Sequence, residues 1–246
     1  MDHRSQNNIK AFKVLLTLVI GAAAIFFAEN KLLVAETRGQ ALGLYESLPW
    51  KDEIILLVED FENFGSEKDL QKENFFSYGS AQLKLDSANT DHSLTGATSC
   101  CKIIWKGEDK FGGWGKGVGK NIDLDKENDQ LNFKILDPAK GEGNDIIKII
   151  LEEDDNDDGI LQKDLDDSFS YTLNLKHSDK WQFISIPLKD FYDSNAGGDS
   201  LLNVTRKGGL HTIIFSFEQP DKYKKGDAWY FDFIFFSKGK INEAQF

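Results

Sequence analysis

The sequence predicts an all-β sandwich. Three observations carry that reading: short apolar-rich runs recur between polar turns from residue 54 to 236, several of them alternate with period two, and none is long enough for a core helix. The composition agrees, with 21 Gly, 19 Phe and a single Met among 246 residues. At 40% hydrophobic and 28% charged the chain lies in the globular range, and it is long enough to close at least one full core.

The N-terminus comes first. Arg4, Lys10 and Lys13 precede an apolar run over 14–28, broken only by Thr17 and Gly21. That run is shorter than the roughly 20 residues of a spanning helix, and Ala22, Ala23 and Ala24 offer small-residue cleavage positions. Ile25, Phe26 and Phe27 carry the run past them. Residues 1–28 are therefore read as an export signal or, uncleaved, as an N-terminal anchor, the only contact with a membrane. Either places the rest outside the cytoplasm: secreted, periplasmic or at the cell surface. Residues 29–52 lack a sustained period and read as a linker, 53–240 as the sandwich and 241–246 as a tail.

The strand candidates are 54–61, 82–85, 99–105, 131–136, 146–151, 169–175, 181–188, 210–217 and 229–236. In the fourth, Leu131, Phe133 and Ile135 share one face and Asn132 and Lys134 the other, predicting one core face and one wet face. The last run is apolar on both faces and so reads as a central, covered strand. Asp232 inside it requires a partner, because an isolated carboxylate there would cost several kcal/mol or take up a proton. Cys100 and Cys101 are adjacent, and read as two buried thiols or as a strained vicinal disulfide. Two Cys and four scattered His assemble no zinc site.

Residues 152–167 hold nine carboxylates against one Lys. Such a run repels itself unless it is solvated or a cation sits within it. The spacing Asp154-x-Asn156-x-Asp158-Gly159 matches the opening of a calcium loop, with Ile160 supplying a backbone carbonyl. Leu165 stands where the closing acid belongs, flanked by Asp164 and Asp166. A second, structural ion is expected if Asp60 and Glu62, at the end of the first strand, meet Asp232 in the last. Ca²⁺ is thus the predicted cofactor.

Several motifs resemble the galactose-binding-like β-sandwich carbohydrate-binding modules, of the hemicellulose- and glucan-binding or complex I intermediate-associated type. They are Glu59-Asp60-Phe61-Glu62, Gly112-Gly113-Trp114-Gly115, Trp181 to Leu188 with Phe191, Ile213 to Phe217, and Tyr230 to Ile234. The resemblance implies a jelly-roll sandwich, often with a structural calcium. Sugar recognition needs exposed aromatic platforms beside amides or carboxylates. Trp114, between glycines in a predicted loop over 112–119, is the platform candidate, with packing under the loop as the alternative. Tyr171, His211, Asn132 and Gln182 fall on the polar sides of their strands. A ring burying about 100 Å² is worth roughly 2.5 kcal/mol, so two or three rings give millimolar to tens-of-micromolar binding to a polysaccharide or glycan.

The net charge of −12 argues against nucleic acid. A sandwich glycoside hydrolase would need two carboxylates facing each other across a cleft. Glu152, Asp154 and Asn156 alternate but run directly into Asp158-Gly159, a loop signal. No G-x-S-x-G occurs, and the glycines at 115, 117 and 119 precede no Walker lysine. The reading is a non-catalytic binding module; the other class is an exported interaction protein that docks on a surface protein.

Overall fold

A computed structural model describes residues 48 and 50–241, apart from 91–96, 121, 123, 138–142, 157, 203–208 and 220–221. The predicted signal or anchor over 1–28 lies outside the described residues. Two antiparallel sheets face each other. The first runs β3 (Ala81–Asp86), β4 (Cys100–Trp105), β12 (Ala228–Ser237), β6 (Gln130–Asp137) and β9 (Ser178–Pro187), with β1 (Ile54–Glu59) also paired to β12. The second runs β10 (Tyr192–Asp193), β8 (Ser168–Lys176), β7 (Asn144–Glu153), β11 (Leu210–Phe217), β5 (Gly112–Lys120) and β2 (Phe75–Gly79). One short helix, α1 (Glu67–Lys72), precedes β2, and among the described residues no helix is long and apolar enough to cross a membrane.

The predicted periodicity builds the core. In β7 burial alternates at every residue, so Asp145, Ile147, Ile149, Leu151 and Glu153 turn inward. Ile147, Ile149 and Leu151 meet Leu131, Phe133 and Ile135 of β6 and Phe231 of β12 in one buried cluster. Phe215 of β11 contacts Phe133 edge-on at 5.3 Å and Phe231 at 5.0 Å, fastening one sheet to the other. β12 is central, as predicted, because it bulges. Asp232 pairs with Lys134, the register then jumps to Phe235 opposite Asn132, and Phe233 between them adopts φ +48°. β4 pairs along 228–231 and β1 along 234–237. Asp232 gains the partner it required: its Oδ1 accepts the Phe233 amide at 2.7 Å.

Two expectations are corrected, and one left open between two readings is decided. The outer face of β6 is not wet: Asn132 and Lys134 are 0% and 4% exposed. Trp50, stacked on Phe235 at 5.2 Å, covers that side with Phe183, Phe233 and Ile241. Trp50 and Ile241 are both buried in that cluster. Residues 112–119 are not a loop but most of β5. Cys100 and Cys101 are free, buried thiols, Cys101 in the main core and Cys100 on the opposite side of the sheet, as strand alternation dictates.

Candidate functional site

The outer face of the second sheet is assembled by register. One row runs Phe76, Gly115, Ile214, Ile150, Ser170 and Tyr192; the next runs Tyr78, Gly113, Ser216, Lys148 and Thr172. Thr212 and Glu152 follow in a third. The glycines are what bring the rings down. A Cβ on Gly113 would stand 2.5 Å from the Tyr78 hydroxyl, and one on Gly115 2.6 Å from Phe76 Cζ. Both rings thus lie flat across β5, possible only where alternate residues lack a side chain. The Tyr78 hydroxyl reaches β11 and hydrogen bonds with Ser216, while burial raises its pKa. Phe111 stacks beside Tyr78 at 6.5 Å. Phe76, Phe111 and Tyr192 are 40%, 59% and 53% exposed, which puts solvent-facing aromatics on both edges of the sheet.

Between those edges the face is mixed. Ile150 and Ile214 give an apolar strip, and Ser216, Lys148 and Thr172 a polar one. Burial pushes the Glu152 carboxyl pKa up, opposed by the Thr212 hydroxyl, His211 and Lys163. Such a surface offers flat apolar contact alongside directional donors and acceptors.

The predicted sugar ligands distribute differently. Trp114 is 1% exposed, stacked on Phe215 at 4.8 Å and edge-on to Phe231 at 4.9 Å. It points inward because it alternates with Gly113 and Gly115, so it belongs to the core and is no platform. Asn132 is fully buried, its Nδ2 donating to Ser237 Oγ at 2.8 Å. Tyr171 is paired with Ile149 and so shares its inward side, where it packs on Phe191 at 5.6 Å. Gln182 lies on β9 of the other sheet and donates to the Lys176 carbonyl. His211 alone adjoins the face, at a bulge, with Nδ1 2.7 Å from Thr212 Oγ1. The sequence reading missed Phe76, Tyr78, Phe111 and Tyr192. Its available signal was the alternation of glycines over 113–119, which marks a strand with one bare face rather than a loop.

The predicted calcium loop is closed by its own backbone. Asp154 accepts the Asp158 and Gly159 amides at 3.3 and 2.8 Å, and Asp166 accepts those of Asp155 and Gln162 at 3.0 and 2.5 Å. Asn156 accepts the Asp158 amide and Asp158 that of Ile160, while Asn156, Asp158, Ile160 and Asp164 face solvent. These residues do not form the expected cage. Nor do Asp60, Glu62 and Asp232 converge: the Glu62 carboxylate is taken by Thr98 and Ser99, and burial beside Glu59 raises the Asp60 pKa to about 6.

The acids that do converge are Asp155, Asp167 and Asp199, each offering an oxygen within 4.8 Å of the others. Asp167 is 0% exposed; its Oδ2 accepts the Asp199 amide at 3.1 Å, and its Oδ1 has no hydrogen-bond partner among the described residues. Gly198, at φ +69°, packs its backbone so close that a Cβ would overlap Asp167 Oδ1 and Asp155 Oδ2. Burial, then Asp167 and Asp199, raise the Asp155 pKa to about 6. A buried, donor-free oxygen among three carboxylates fits a hard divalent cation. Two of the three acids lie in the predicted run, on the other side of the chain from those chosen by spacing.

No protein-family model matches the chain, and no curated protein is similar to it. Solved structures similar to it include carbohydrate-binding modules and part of a GH51 α-L-arabinofuranosidase. The family 11 module of the cellulosomal cellulase Lic26A-Cel5E of Clostridium thermocellum is 15% identical with a TM-score of 0.48, over 76% of this chain and 96% of that one. A family 30 module is 16% identical (TM-score 0.47; 68% and 84%). The CBM22-1 xylan-binding domain of Paenibacillus barcinonensis Xyn10C is 11% identical (TM-score 0.43; 77% and 97%).

Proposed function

We propose that the chain is an exported, non-catalytic carbohydrate-binding jelly-roll module, stabilised by calcium, that recognises a polysaccharide or glycan on the outer face of the second sheet. The observation that carries this reading is the pair of rings, Phe76 and Tyr78, laid flat over Gly115 and Gly113 beside the polar row Ser216, Lys148 and Thr172. A pyranose presents an apolar face and a hydroxyl rim, and this surface offers a counterpart to each. Tyr192 extends the contact to the far edge and His211 adjoins its Glu152 end. The basic tail and apolar run of residues 1–28 support export. Asp155, Asp167 and Asp199 are the residues that would hold the calcium, which then neutralises their mutual repulsion.

The test is a glycan array followed by titration calorimetry. Tyr78→Ala is expected to weaken binding roughly 10- to 100-fold, the loss of one platform ring and its contacts, and Phe76→Ala by a similar factor. Both side chains lie on the outer face, so folding should be retained. Unchanged affinity in the folded Tyr78→Ala, Phe76→Ala double variant sinks this assignment of the face. An array blank for a well-folded, calcium-loaded sample sinks the glycan reading itself.

A further inference from the structure

At the other end of β7 from the calcium cluster, three side chains from both sheets meet. Asp137 closes β6, Asp145 is the second residue of β7, and His177 is the single residue between β8 and β9. His177 Nε2 lies 3.2 Å from Asp145 Oδ1 and 3.5 Å from Asp137 Oδ2, and one donor atom from each residue lies within 4.8 Å of the other two. Both carboxylates are nearly buried, with side chains 3% and 7% exposed.

An imidazolium alone accounts poorly for these distances. The one hydrogen on Nε2 cannot point at two carboxylates, and both separations exceed the 2.7–2.9 Å or so of a charge-assisted hydrogen bond. They do match the edge of a coordination tetrahedron, since two ligands each about 2.0–2.1 Å from a zinc ion stand roughly 3.3–3.4 Å apart. The second oxygen of Asp145 is already oriented: Trp229 Nε1 donates to Oδ2 at 2.7 Å, leaving Oδ1 directed at the histidine. Outer contacts of this kind fix a metal-binding carboxylate in position. The cluster opens on a cavity of about 290 Å³ that Tyr223 also lines, room enough for a water ligand. Lys222, on the same cavity, has its ammonium engaged by Gln219 Oε1 at 3.1 Å.

We propose that Asp137, Asp145 and His177 form a second cation site, one that takes a borderline divalent transition ion of the zinc type. His177 Nε2, Asp145 Oδ1 and Asp137 Oδ2 supply three ligands and water the fourth. One imidazole and two carboxylate oxygens suit such an ion, whereas calcium requires six to eight oxygens. Occupancy would tie the β6–β7 and β8–β9 connections, each of which crosses between the sheets. The site does not depend on the glycan reading.

The test uses the full chain, stripped with chelator and titrated with Zn²⁺ by calorimetry and with Co²⁺ by visible absorption. We expect one ion bound at micromolar affinity or tighter in the presence of millimolar Ca²⁺, with the intense visible bands of tetrahedral Co²⁺. His177→Gln should weaken the Zn²⁺ affinity by at least about tenfold, the lower bound for disturbing even an outer contact. His3, His92 and His211 are unchanged in that variant, so the difference isolates the cluster. If His177→Gln fails to fold, Asp137→Asn supports the same comparison. Absence of Zn²⁺ binding, or equal uptake by wild type and folded variant, overturns the proposal.

Discussion

Replacing Trp114 by alanine is expected to destabilise the fold by about 3–5 kcal/mol, the range for deleting a large aromatic from a packed core. The indole is 1% exposed and sits in the ring cluster that joins the sheets, stacked on Phe215 and edge-on to Phe231. Its removal leaves a void bounded by β-sheet on both sides, which cannot collapse without moving strands. Trp114→Phe serves as the control. The indole N–H is buried without an acceptor among the described residues, so phenylalanine removes an unsatisfied donor while keeping most of the ring, and should cost much less. Urea unfolding of the two variants checks both. A Trp114→Ala protein as stable as wild type but deficient in glycan binding would return Trp114 to the surface.

The same residue shows where the sequence was legible. Period-two alternation located the core face of β6, a short apolar run between turn signals located β7, and apolarity on both faces gave the central position of β12, because buried apolar side chains leave a direct trace in the chain. Over 112–119 the same alternation was present as Gly113, Trp114, Gly115, Lys116 and Gly117, but glycine reads locally as a turn residue. What makes these glycines strand residues is the approach of Phe76 and Tyr78 from a neighbouring strand some forty residues earlier, which no window along β5 contains. Asn132 failed for a related reason. Its strand alternates as a half-wet strand should, and only the arrival of Trp50, Phe183 and Phe233 from distant segments dries the second face. The acidic run was legible as a place but not as a ligand set. Asp154 and Asp166 fold the loop by capping its amides, which turns Asp155 and Asp167 toward Asp199, and that third acid belongs to a separate segment.

Removal of calcium should lower the melting temperature, and the pH dependence of that loss identifies the carboxylates responsible. At free calcium 100-fold above its dissociation constant, binding stabilises the folded state by about 2.7 kcal/mol. For a domain of this size each kcal/mol moves the midpoint by roughly 2–4 °C, so excess chelator at pH 7.5 should lower it by about 5–10 °C. In the metal-free protein the folded-state pKa of Asp155 is raised to about 6 from 3.8. Between these values the folded chain binds more protons than the unfolded chain, so stability falls as pH rises through the window from about 4 to 6. The chelated protein should therefore gain stability when taken from pH 7.5 to pH 5, and the difference between loaded and chelated samples should shrink. Asp60, raised to about 6 by burial, contributes in the same direction, so the comparison needs a variant. Asp155→Asn removes one of the three like charges and one calcium ligand together. It should melt higher than wild type in chelator at pH 7.5, respond less to added calcium, and retain only the share of the pH effect that Asp60, Glu152 and Asp167, also raised by burial, contribute. Equal responses to chelator and to pH in wild type and Asp155→Asn would place any calcium elsewhere, because a cation held by Asp155, Asp167 and Asp199 cannot be indifferent to the loss of that charge.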